Sequence, residues 1–439
     1  MKMRPFEIGL LVFFGLLLAG AIILLRLYSP DPEPGAVDFG GPVTIWGTLP
    51  AAGFESFKRE MIKTVPTFKD VNYRYIAPEN FDNTFITALA DRRSPDLLLL
   101  SQESIVRHRS RIDLYPYTAF PERDFRNQYL DGADIFLLPR GIFGFPVAVD
   151  PLVMYWNRDL LGSAGFISPP RTWEEVVGEV VPRLTSRDFN RTITRSALAM
   201  GEYRNINNAF GIISMLALQG GSAGVALDGV SSYRIRLDES VIPTQSGGTA
   251  RPFTNAVRFF TNFNATQNTL YSWNRSLPLD RDMFLREDLA LYFGYGSEAV
   301  GLATRNPNLS FDIAEVPQSA EATVRRTYGR FYVLAVPQQA SNKNGAYMVL
   351  QQLTQANNAR HLALAYHLAP AHRSLVQAGS NDLYGRVYYA VAPTARGWLN
   401  PDLARTDEVF IRMLDDIQAN RTDTPRAVSD ALGRLRGAY

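Results

Sequence analysis

Two apolar, β-rich runs meet at Asp150-Pro151: Phe145 to Val149 leads in, and Leu152 to Trp156 leads out to Asn157-Arg158-Asp159. Asp-Pro reads as a turn between two strands, because Asp favours turns and Pro offers no N–H to a strand ladder. Further on, Pro169-Pro170-Arg171 precedes Thr172, which with Glu175 forms a capping box at the head of a helix. The order is strand, turn, strand, loop, helix.

The N-terminal part repeats that alternation. Val43 to Thr48 has a strand pattern, and Phe54 to Thr64 is an amphipathic helix with Phe54, Phe57, Met61 and Ile62 on one side. Val71 to Ile76 alternates like a strand, and Phe81 to Ala90 returns to helical spacing. Pro95 to Leu100 is an apolar run suited to a strand covered on both faces. Strands alternating with helices imply an α/β lobe around a mostly parallel sheet. At 439 residues, 46% of them hydrophobic, the chain is too long for one ordinary core and rich enough to fill two.

Charge and composition remove several classes of function. Forty-five basic against forty-three acidic residues, with no basic block, point away from nucleic acid and from anionic membrane surfaces. The absence of cysteine excludes disulfides, thiolate nucleophiles and cysteine metal sites, and it fits an oxidising exterior. His108, His361, His367 and His372 do not fall at helical ligand spacing, so neither a metal site nor a cofactor is expected. Gly220-Gly221 and Gly294-x-Gly296 lack the rest of a phosphate-binding loop.

From Ile8 to Leu25 run eighteen uncharged, mostly apolar residues, preceded by Lys2 and Arg4. That length spans a bilayer, and the basic end stays in the cytoplasm. Residues 1–28 therefore read as a cytoplasmic stub and single-pass membrane anchor, with the bulk of the chain outside. The alternative is a signal peptide cleaved after Ala21, but the apolar run continues through Leu25. The three prolines between Ser29 and Gly35 make residues 29–41 a semi-rigid linker. Near the other end, Val409, Phe410, Met413, Leu414 and Ile417, then Val428, Ala431, Leu432 and Leu435, form two helices bracing the second lobe.

Several motifs occur in the order used by the sugar-binding class of ABC-importer solute-binding proteins, the class of maltose-binding protein. They are Trp46 in the opening strand, Ala88-Leu89-Ala90 followed by Ser94-Pro95-Asp96, and the stretch Gly144 to Asp150. Later come Phe284 to Gly294, with Glu287 in place of the usual Gly, then Phe311 to Pro317, Val333 to Pro337 and Asn342 to Tyr347. The chain resembles that family over residues 43 to 380. The resemblance implies a two-lobe periplasmic-binding-protein fold with an interlobe hinge and no catalytic activity. It places residues 42–149 and 297–340 in lobe 1 and residues 150–296 and 341–439 in lobe 2. Crossings are expected near Ala148 to Pro151, Gly294 to Glu298 and Val336 to Asn344. The function implied is capture of a solute, a sugar or oligosaccharide, by a monomer that delivers it to ABC-importer permease subunits. The alternatives are the ligand-binding subunit of a membrane sensor and a glycoside-processing enzyme using Asp150 and Glu298.

Open α/β sheets bind ligands beyond the carboxyl ends of their strands, which selects Thr48, Leu49, Gln102, Glu103 and Asp150. In the family, positions matching Glu103 and Asp150 accept hydrogen bonds from sugar hydroxyls. The competing reading makes Asp150 a turn residue and Glu103 an acid at a helix N-terminus. Matching Gly220-Gly221 to the family puts Asn208 and Phe210 at a polar and an aromatic ligand contact, although Phe210 also suits the core. Tyr295, Ser297 and Glu298 occupy a crossover turn where relatives place a Trp, a departure in this chain. Trp398 is the other aromatic candidate, against a role as a buried anchor. Trp46 reads as core, and Arg330 and Arg396 leave an anionic ligand open.

Overall fold

The computed structural model describes residues 17–18, 37–228, 232–241, 250–400 and 402–437. Among the described residues no helix is long and apolar enough to cross a membrane. The expected anchor lies outside them except for Leu17 and Leu18, as does most of the linker.

The chain opens with β1 (Val43–Gly47), α1 (Ala51–Thr64), β2 (Val71–Tyr75), α2 (Pro78–Ala90), β3 (Leu97–Ser101) and the single turn α3 (Gln102–Ile105). β1 lies between β2 and β3, and both pairs are parallel, as the alternation predicts. α1 forms because Phe54, Phe57 and Met61 recur on one face and bury against the sheet, where Phe54 stacks on Tyr73 at 4.5 Å. Leu97 to Leu100 are wholly buried, as a strand covered on both faces requires.

Next comes β4 (Phe145–Asn157), followed by β5 (Ile193–Leu198), α4 (Ala209–Gln219), α5 (Pro252–Thr261), β6 (Leu289–Tyr295), α6 (Glu298–Arg305), β7 (Phe311–Ala314) and β8 (Thr327–Ala335). The last part contains α7 (Lys343–Thr354), α8 (Ala356–Ala365), β9 (Ala369–Pro370), β10 (Ala395–Arg396), α9 (Leu403–Gln418) and α10 (Thr424–Arg436). One mixed sheet runs β2-β1-β3-β8-β4-β6-β5 and continues to a short edge strand.

β4 corrects the expectation at Asp150-Pro151. It is one strand of thirteen residues with no turn. Phe145 to Pro151 pair with β8, and Leu152 to Trp156 pair with β6. Pro151 sits where the partner changes, so its missing N–H breaks no ladder, and its carbonyl accepts from Gly296 N–H at 3.0 Å. Asp150 is thus inside the strand that both lobes share rather than at its end.

The lobe boundaries also differ from those expected. β7 pairs with Met154 to Asn157, and Asn306 Nδ2 donates to the Leu285 carbonyl, so residues 298–314 stay with the second lobe. The turn from Gly294 to Glu298 abuts the hinge at Pro151 instead of crossing it. Val336 and Gln338 bond to Asp113 and Arg111 within the first lobe, which moves the expected third crossing to the segment between β7 and β8. α7 packs on β1 and α8 on α1, placing residues 343–365 in the first lobe. The tail follows expectation: α9 buries Val409, Phe410, Met413 and Leu414, and α10 packs against it and α5 in the second lobe.

Candidate ligand cleft at the hinge

The carboxyl end of β3 delivers Gln102 and Glu103 onto the start of β8. Gln102 Oε1 accepts from the Phe331 N–H, and its Nε2 donates to the Gly329 carbonyl at 2.8 Å. Glu103, 4% exposed, accepts from the Tyr328 hydroxyl at 2.6 Å and from Arg330 Nε at 2.7 Å. The Arg330 guanidinium lies over the Tyr295 ring, 4.2 Å from its centroid. A continuous set of contacts therefore runs from the first lobe through Arg330 to the end of β6. Burial alone would lower the Arg330 pKa, but Glu103 beside it prevails and the group is held well above its ordinary value. Some 27% of the Arg330 side chain stays open to solvent, whereas the Glu103 side chain is 4% exposed.

Asp150 stands opposite Arg330 across the β4–β8 ladder. Its two oxygens accept from the Ser297 N–H at 3.0 Å and the Ser297 hydroxyl at 2.6 Å. At 2% exposure the carboxyl is pushed up to about 7 by burial, against the opposing effect of Ser297 and Arg330, with Glu298 adding to the rise. Glu298 accepts from Asn208 Nδ2 at 2.9 Å and the Tyr292 hydroxyl at 2.5 Å, and pairs with Arg281 at 3.3 Å. Gly296 is required here: a Cβ on it would lie 2.8 Å from the Cβ of Tyr388.

Phe210 and Trp398 belong to an aromatic wall. The Phe210 ring lies 5.5 Å from Tyr328, 5.3 Å from Trp398 and 6.1 Å from Phe410. Trp398, 2% exposed, donates from its indole to Ser214 Oγ at 3.1 Å, the geometry of a buried anchor. Along the opening, Arg109 lies 5.3 Å from the centre of the Tyr233 ring and Arg107 is 3.3 Å from Asp402, so the 106–111 turn of the first lobe touches the second.

The structure thus gathers Gln102, Glu103, Asp150, Asn208, Phe210, Tyr295, Ser297, Glu298 and Trp398 along one seam. Thr48 and Leu49 are not joined to it by any of these bonds; the Leu49 carbonyl accepts from the Tyr73 hydroxyl within the first lobe. Trp46 is core, 5% exposed beneath Arg74. Sequence reasoning left Arg330 as an open possibility and did not select Tyr328, although the Tyr328-Gly329-Arg330 triplet inside an apolar strand was a visible signal. Arg396 is occupied away from the seam, donating to Asp131 at 2.9 Å. Among the described residues no group of three or more His, Cys, Asp or Glu could hold a metal ion.

Residues 70–383 match the family model described as bacterial extracellular solute-binding protein. A protein of Brucella abortus (strain 2308), whose name assigns it binding alone, is 22% identical over 357 residues, covering 77% of this chain and 76% of its own. Among solved structures, a cyclo/maltodextrin-binding protein complexed with maltotetraose superposes with a TM-score of 0.68 at 12% identity, over 92% of this chain and 98% of that one. An ABC substrate-binding protein from Listeria monocytogenes in complex with cycloalternan gives 0.64 at 15%, over 90% and 98%. The maltose-maltodextrin binding protein of Alicyclobacillus acidocaldarius gives 0.64 at 14%, over 90% and 100%. At these identities the solved structures share the two-lobe α/β fold.

Proposed function

The chain belongs to the bacterial extracellular solute-binding protein family, and from that premise we propose that it captures a neutral, hydroxyl-rich solute, a sugar or oligosaccharide, in the hinge cleft. The family is one of binding proteins rather than enzymes, and its description places the bulk of the chain outside the cytoplasm. In this reading the protein acts as a monomer, is tethered by the apolar segment from Ile8 to Leu25, and hands its solute to the permease subunits of an ABC importer.

The observation that carries the proposal is the pairing of charges along the seam. Glu103 is matched by Arg330 and Glu298 by Arg281, while burial favours the neutral form of Asp150. A charged ligand would have to break a partly buried ion pair, which leaves an uncompensated charge. Sugar hydroxyls both donate and accept, so they can join these groups without breaking them. Tyr295 and Phe210, 4% and 8% exposed, would offer flat surface to the C–H face of a sugar ring as the lobes part, with Tyr328 wholly buried behind them. Proteins of the same fold solved with maltotetraose and with cycloalternan support the same solute class.

Closure follows from the same geometry. Ligand held between Glu103 and the end of β6 favours the state in which Arg107 reaches Asp402 and Arg109 reaches Tyr233. To swing that equilibrium from 1:99 to 99:1 the closed state must bind about 5.5 kcal/mol better. The test is a thermal-shift screen of the detergent-solubilised chain against neutral oligosaccharides, uronates, amino acids and polyamines. A neutral oligosaccharide at a hundredfold excess over Kd should add about 2.7 kcal/mol of stability. Stabilisation by a charged class alone would refute the proposal.

A further inference from the structure

The first lobe contains a cavity of about 500 Å³ at the start of β4, away from the seam residues. Tyr115, Phe120, Tyr129 and Phe145 line it: Tyr115 stands at 89° to Phe145 with centroids 5.2 Å apart, and Phe120 at 68° to Phe145 with centroids 5.6 Å apart. The polar rim comes from three separate segments. Gln128 ends the helix Glu122–Gln128, Gln355 precedes α8, and Ser374 follows β9.

The lining contains no charged residue among its thirteen, in a chain that is 20% charged. Such a site offers no ion pair to a phosphate, carboxylate or amine. His372 does not change that: it is buried, its Nε2–H donates to the Thr354 carbonyl at 2.9 Å, and burial holds its pKa below the ordinary value, so the ring stays neutral. What remains is flat aromatic wall with amides and a hydroxyl that can each donate and accept. The volume lies within the usual range for small-molecule pockets.

We propose that this cavity is a second ligand site, for a neutral mono- or disaccharide. Ring C–H faces would pack on Tyr115 and Phe120, which Phe145 braces from behind, and hydroxyls would bond to Gln128, Gln355 and Ser374. The inference rests on this lining alone and stands or falls independently of the hinge cleft.

The chain has four histidines, so its imidazole NMR spectrum is small enough to assign, with His372→Gln identifying the signal from the cavity. The full chain in detergent is titrated with maltose and, separately, mannobiose into the millimolar range. The His372 signal should shift saturably with one of them, and equally in Tyr295→Ala, which alters only the cleft. Gln128→Leu and the milder Phe120→Leu should each weaken that response about tenfold or more while the other three histidine signals keep their wild-type positions, which checks folding. A His372 signal that neither sugar moves, or that moves as readily in both cavity variants, overturns the second site. A cleft titration that survives such a result leaves the hinge reading intact; loss of cleft binding with the His372 response retained does the reverse.

Discussion

Asp150 grips Ser297 with both carboxyl oxygens, taking the backbone N–H at 3.0 Å and the hydroxyl at 2.6 Å. Asp150 lies in β4, which pairs with β8 on one side of the hinge and β6 on the other, and Ser297 lies in the turn that follows β6. The pair therefore ties that turn to the hinge strand and makes Asp150 a hinge latch.

Ser297→Ala removes the hydroxyl while keeping the N–H. Because the carboxyl is buried, the loss should be about 1–3 kcal/mol in urea unfolding, the range for depriving a buried group of a partner. A change within about 0.3 kcal/mol would show that the hydroxyl bond adds nothing to the hinge.

The raised carboxyl sets a pH dependence with a definite sign. Asp150 is held at about 7 against an ordinary 3.8, and buried Asp280, whose Oδ2 has no hydrogen-bond partner, is also pushed up to about 7. The folded state thus holds these protons more tightly than the unfolded chain. Their favourable contribution is complete below 3.8 and is lost as pH rises towards 7. Asp150→Asn cannot ionise, and its amide can still accept from Ser297 N–H. Its melting temperature relative to wild type should rise from pH 5 to about pH 7 and level off above that, as differential scanning fluorimetry at fixed ionic strength would show. A flat difference would mean that Asp150 keeps an ordinary pKa.

Glu103→Ala strands the Arg330 guanidinium and the Tyr328 hydroxyl. The expected loss is about 2–3 kcal/mol, below the figure for a fully buried pair because part of the Arg330 side chain reaches water. In a double-mutant cycle with Arg330→Met the coupling should exceed about 0.5 kcal/mol. Strict additivity would show the two residues to be energetically independent.

For the anchor, carbonate washing of membranes should leave the full-length chain in the pellet, since an inserted apolar helix is not released by pH or salt. Recovery of a soluble form beginning at Ile22 would replace the anchor with a cleaved leader.

Local signals carried the first lobe well. β1, α1, β2, α2 and β3 could be read because period-2 and helical patterns act over a few residues, and the tail helices for the same reason. The hinge could not be read that way. Asp150-Pro151 has the local chemistry of a turn, and only its change of partner from β8 to β6 makes it mid-strand. The lobe membership of residues 298–314 depends on β7 pairing with a strand far back in the chain. Arg330 acquires its place from Glu103, 227 positions away, and from the Tyr295 ring, so no window around it reveals the contact.

A seam between Glu103 and Tyr295 that receives a neutral sugar should tell neutral from acidic oligosaccharides. Calorimetric titration of the wild-type chain with maltotetraose and with a galacturonate tetramer, repeated on Tyr295→Ala, tests it most directly. The neutral oligosaccharide should bind, the acidic one should bind at least about tenfold more weakly, and Tyr295→Ala should lose about 1–3 kcal/mol. Preference for the galacturonate, or maltotetraose affinity unchanged by Tyr295→Ala, would contradict it.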